Sequence, residues 1–128
     1  MMKSAICCAA SMLFLSLSPI GVVPAMAGEV DVVAVEASQG ADGTWRFSVT
    51  LEHDDEGWDH YANRWDVVGL DGTVYGERVL AHPHVDEQPF TRSLSGVAIP
   101  DGVSQVIIRG NDSVHELGGK ELTVDLNR

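Results

Sequence analysis

The five histidines of this chain fall in three short segments: His53 and His60, His82 and His84, and His115. Neutral imidazole is a common ligand for zinc, copper and nickel, so the chemistry at issue is metal coordination. His82-Pro83-His84 is the best local element. Proline biases the residue before it toward an extended conformation and fixes its own φ. In an extended segment, residues two apart point to the same side, so both rings would face one ion. His60 and His115 complete a set of three or four nitrogens. Glu56, Asp59, Asp86, Glu87 and Glu116 supply nearby carboxylates that could add an oxygen ligand or orient an imidazole. His53 lies at the far edge of its segment and is left out, so the expected metal ligands are His82, His84, His60 and His115.

Sulfur is excluded from that set. Cys7, Cys8 and all four methionines lie within the first 27 residues. Histidine with carboxylate suits Cu(II), Zn(II) or Ni(II) and disfavours Cu(I), and the affinity order favours copper. His53-Asp54-Asp55-Glu56 is acidic but lacks the spacing of a calcium loop, and reads as a solvated connection. Asp112, Ser113 and His115 suggest a hydrolytic triad only by adjacency, and no nucleophile-elbow sequence surrounds Ser113. Phosphate-binding glycine motifs are absent, with Gly118-Gly119 reading as a tight turn into the last strand. The expectation is a protein that is not an enzyme.

Residues 1–27 have the form of a secretory signal. Lys3 supplies the positive end, Ala5 to Leu17 carries no charge, and Ala25-Met26-Ala27 fits the small-x-small cleavage rule. The apolar run is shorter than the about 20 residues of a membrane span. Cys7 and Cys8 precede most of that run, whereas a lipidated cysteine follows it, which argues against a lipoprotein. The expected mature domain is residues 28–128, periplasmic or secreted, without a membrane segment. It has no cysteine, so no disulfide can hold it. The formal net charge is −11, and losing Lys3 makes it more negative by one unit. Such a chain repels nucleic acid and anionic lipid and attracts cations.

The elements that would position the histidines are short strands. Trp45, Phe47, Val49 and Leu51 alternate with Arg46, Ser48, Thr50 and Glu52, the pattern of a half-buried antiparallel strand. Leu122, Val124 and Leu126 repeat it, Val106 and Ile108 mark another strand, and Val30–Val35 is valine-rich with a phase that suggests a bulge. Trp58–Val68 reads as one long strand with Tyr61, Asn63, Trp65 and Val67 on one face. Thr73–Leu80 returns to it through Leu70-Asp71-Gly72, a sequence suited to a primed turn. Phe90–Val97 is the fifth strand, anchored by Phe90 and Leu94, and a small helical piece fits Val114–Leu117. The fold class is therefore all-β: a single seven-stranded antiparallel β-sandwich following a cleaved signal peptide. The first, third and fifth connections carry Asp-Gly turns, while the second, fourth and sixth carry every histidine. Alternate connections of a sandwich emerge at one end, so the histidines should share a pole.

Seven strands of this length resemble immunoglobulin-like and fibronectin type III sandwiches, although the inter-sheet cysteine pair of antibody domains is missing. Trp58-Asp59-His60-Tyr61-Ala62-Asn63-Arg64-Trp65 and the stretch from His82 to Leu94 also resemble small exported bacterial periplasmic proteins that are themselves uncharacterised, which implies a location and no activity. The functional expectation is an exported binding domain holding Cu(II) or Zn(II) at its histidine pole. The alternative is a protein–protein or carbohydrate binding module that uses the same loops without metal. Trp58, Tyr61 and Trp65, with Arg64 and Arg92, would serve that second role.

Overall fold

The computed structural model describes residues 28–127. The expected leader, both cysteines and Arg128 lie outside the described residues. Seven strands form in chain order: β1 (Asp31–Gln39), β2 (Trp45–Glu52), β3 (Ala62–Gly69), β4 (Val74–Val79), β5 (Phe90–Val97), β6 (Gln105–Asp112) and β7 (Leu122–Asp125). They build two antiparallel sheets, one ordered β1-β2-β5 and the other β4-β3-β6-β7. The chain is all-β, as the alternation of its apolar residues requires.

The alternation places the core. Trp45, Phe47, Val49 and Leu51 of β2 face Trp65 and Val67 of β3 and Val106 and Ile108 of β6, all buried. Each large side chain removed from water adds about 1.5–3 kcal/mol before the entropy of ordering it is counted. The ambiguous phase of the first strand has the cause expected. A register irregularity between Val32 and Ala34 shifts the inward set from Val30 and Val32 to Val35 and Ala37.

Three local expectations are corrected. The third strand begins at Ala62, because Gly57 adopts φ 93° and the His60 amide donates to the Gly57 carbonyl, closing a turn through Trp58 and Asp59. Tyr61 therefore lies outside the strand and Trp58 is exposed. The turn after β3 is not a primed one. A primed turn of that type needs positive φ at both central residues, and Gly72 has it (φ 87°) while Asp71 does not. Gly40-Ala41-Asp42-Gly43-Thr44 and Gly69-Leu70-Asp71-Gly72-Thr73 fold alike: the first glycine amide donates to the threonine carbonyl, and the aspartate accepts from the threonine amide. These bonds, led by the Thr44 hydroxyl at Asp42 and the Thr73 amide at Asp71, hold both carboxyls below the ordinary aspartate range. Finally, Ser113–His115 form turns rather than a helical piece, with Glu116 at φ 61°.

Register fixes the polarity of the molecule. Asp31 pairs with Glu52, Leu51 with Phe90, Ala62 with Asp112 and Arg64 with Val79. The odd strands thus begin, and the even strands end, at one pole. The second, fourth and sixth connections meet there, and the Asp-Gly turns occupy the opposite end.

Candidate metal centre at the histidine pole

The histidine pole is built on two carboxylates that the end of the sandwich buries, Asp55 and Asp112. The side chain of Asp55 is fully buried. Its Oδ1 accepts from His53 Nδ1 at 2.6 Å and from the Ala62 amide at 3.0 Å, and its Oδ2 accepts from the His84 amide at 2.7 Å. One carboxylate therefore ties the second connection to the fourth and to the start of β3. The expectation of a solvated acidic loop holds for Asp54 and Glu56, which are exposed, and fails for Asp55.

Asp112 closes β6 and is 0% exposed. Its Oδ1 accepts from the amides of Val114 and His115 at 2.8 and 2.6 Å, which caps the sixth connection. The rest of its surroundings is imidazole. His60 Nε2 lies 3.3 Å and His115 Nδ1 3.4 Å from Oδ1, and His53 Nε2 lies 4.0 Å from Oδ2. No lysine or arginine reaches this carboxylate among the described residues. Asp112 Oδ2 and His60 Nε2 are buried without a hydrogen bond, although His60 Nε2 stands 3.3 Å from Oδ1. A buried carboxylate in this state calls for positive charge beside it, which an imidazolium or a bound metal ion supplies.

The second ring nitrogens strengthen the case. His53 presents Nδ1 to Asp55, and His60 presents Nδ1 toward Glu56 Oε2 at 3.8 Å. Both rings thereby turn Nε2 inward, toward Asp112. A carboxylate behind a histidine is the usual means of fixing a metal-ligating tautomer and raising its basicity. Ligand atoms of His53, His60 and Asp112 lie within 4.8 Å of one another, and all three residues are buried. His53 Nε2 also donates to the Gly28 carbonyl at 2.9 Å, so a metal at that nitrogen would replace a proton and this hydrogen bond. The rings of His53 and His60 meet edge-on at 4.8 Å, with His115 tilted against His60 at 4.9 Å.

His82 and His84 form a separate pair. Their rings lie 4.6 Å apart, and His84 stacks on Phe90 at 4.0 Å and 8°. His84 Nε2 faces the Arg92 guanidinium at 2.9 Å, and because arginine only donates, that nitrogen must accept. Nδ1 then carries the proton and is buried without a partner. His82 is exposed, with Nδ1 against the Pro83 carbonyl. The structure thus joins His60 and His115 around Asp112 and sets His82 and His84 beside a cation. His53, which sequence reasoning left out, stands at the centre. The signal that could have found it is Asp55 two residues away, an oxygen donor spaced to reach its ring.

Burial, the Arg92 charge and His82 together push the His84 imidazole below its ordinary value of 6.5. Unfolded His84 takes up a proton below that pH while folded His84 does not, so its contribution to stability is lost as the solution is acidified. The loss begins near 6.5 and levels off once the folded state also titrates. Urea denaturation at a series of pH values should show a smaller pH slope in His84→Phe than in the parent. Equal slopes would remove His84 as the origin.

The comparisons add a relative but no family. No family profile and no solved structure matches the chain. A protein of Halomicrobium mukohataei described as a candidate lipoprotein is 42% identical over 97 residues, covering 76% of this chain and 47% of its own length. The chain spans about half the length of the relative it matches.

Proposed function

We propose that this is an exported, non-catalytic β-sandwich domain that binds a divalent transition metal, Zn(II) or Cu(II), through His53, His60 and Asp112, with His115 at the solvent side. The observation that carries the reading is the fully buried Asp112 carboxylate: among the described residues it faces three imidazoles, has one oxygen without a donor, and has no arginine or lysine to balance it. Two histidines and a carboxylate form a familiar nitrogen–oxygen set for zinc, and the absence of sulfur among the described residues suits Cu(II) over Cu(I). Asp55 and Glu56 would orient the ligating rings. The His82–His84 pair is less suited, since Arg92 already occupies Nε2 of His84 with a positive charge.

The leader sequence and the description of the relative as a candidate lipoprotein support an extracytoplasmic location, which we take as periplasmic or secreted. The split into sheets of three and four strands, with β4 paired to β3, supports a fibronectin type III-like rather than an antibody constant-type sandwich, in which β4 would join β1, β2 and β5. The Ser113 hydroxyl, the nucleophile of the hydrolytic arrangement weighed from the sequence, accepts the Tyr61 amide.

Isothermal titration with Zn(II) and Cu(II) tests the site. The protein should bind one ion more tightly than about 10 μM, and His60→Gln should weaken binding at least tenfold. His82→Ala/His84→Ala should leave affinity unchanged. Affinity should fall on acidification, because protons compete for imidazole. Absence of binding, or a loss confined to the His82/His84 variant, would overturn the assignment.

A further inference from the structure

A second feature of this pole lies on its outer surface and shares only Glu56 with the metal reading. Trp58 is 67% exposed, the largest apolar side chain left in solvent, and it meets Tyr61 edge-to-face at 5.5 Å and 72°. Tyr61 is held rigidly: its amide donates to Ser113 Oγ and its carbonyl accepts the Ser113 amide, each at 3.0 Å. A tryptophan left two-thirds in solvent beside a tyrosine is a poor core residue and a good contact residue.

Charge says what would touch it. Asp54, Glu56 and Asp59, in the same connection as Trp58, are exposed and pair with no lysine or arginine among the described residues. Every described arginine is already engaged within the domain. Arg64 and Arg109 hold Asp66, Arg92 holds Glu87 and His84, Arg46 bonds Ser95 and Arg78 bonds the Ser93 carbonyl. Arg64 and Arg92 thus spend their charge on Asp66 and Glu87, and the charge beside the aromatic pair is negative. The negative face of an exposed indole beside carboxylates that no lysine or arginine neutralises attracts a guanidinium or ammonium group.

We propose that Trp58 and Tyr61, flanked by Glu56 and Asp59, form a docking surface for an arginine- or lysine-bearing segment of a partner protein. The arrangement also supplies its own probe. Trp45 and Trp65 are buried, so Trp58 is the solvent-exposed tryptophan of the described residues. An arginine–glycine octapeptide, titrated in EDTA so that no metal takes part, should shift tryptophan emission, and the shift should vanish at high salt. By calorimetry, Trp58→Ala and the double variant Glu56→Gln/Asp59→Asn should each weaken the peptide at least tenfold with the thermal midpoint unchanged. Glu77→Gln, remote on β4, should leave affinity alone. Equal affinity in Trp58→Ala, an equal loss in Glu77→Gln, or an emission shift with neutral cellohexaose in place of the peptide would overturn the proposal.

Discussion

Asp55→Ala is expected to destabilise the domain by about 3–5 kcal/mol, the range for removing one partner from a buried charged network. Three donors converge on this carboxylate, from His53, Ala62 and His84, and its side chain is shielded completely from water. Alanine would leave two amides and an imidazole buried without acceptors, and each orphaned group costs about 1–3 kcal/mol. No nearby side chain replaces it, since Asp54 and Glu56 face solvent. Urea unfolding provides the measurement, with Asp54→Ala expected to change stability by no more than about 0.5 kcal/mol. A loss below about 1 kcal/mol at Asp55 would contradict the description of this residue as the tie between the second and fourth connections.

Gly119→Ala should be nearly as damaging, at about 3 kcal/mol, the upper end of ordinary overpacking. A Cβ at this position would stand 1.9 Å from the Val30 carbonyl oxygen and 2.6 Å from its carbon. Those atoms are main chain and cannot swing aside. They are also fastened on both sides, because the Val32 amide donates to the Lys120 carbonyl and the Lys120 amide to Asp31 Oδ1. Val30 is fully buried and also packs against Gly110, where a Cβ would meet its Cγ1 at 2.5 Å. The opposite pole supplies the comparison. Gly102 has nothing within 4 Å of a Cβ and does not use positive φ, so Gly102→Ala should be close to neutral. Thermal midpoints that coincide for the two variants would show that the N-terminal segment does not pack as described.

Gly119 also shows why part of this molecule was not legible from the residues alone. Gly118-Gly119 reads as a turn, and the local sequence offers no other reason for two glycines. The true reason at Gly119 is a neighbour almost ninety positions away, the Val30 main chain. A close approach between distant segments leaves no local mark except the missing side chain itself. Trp58 misled in the opposite sense. Its place beside a run of β-formers suggested a strand, but Gly57 at positive φ turns the chain before β3 can start.

Period-two alternation determined the all-β class, the inward faces of β2, β6 and β7, and even the irregularity in β1. Burying one face of a strand is a local demand that the sequence must write down residue by residue. The Asp-Gly turns and the count of connections likewise determined that the histidines share a pole. Which of them meet was decided only by the tertiary structure. Asp55 and Asp112 are ordinary acidic loop residues until the strand ends close over them, and burial then makes each one organise the nearest donors. That closure brought His53 to the centre, gathered His60 and His115 at Asp112, and left His82 and His84 against Arg92, because the partners of a buried charge are chosen by three-dimensional distance and not by spacing along the chain.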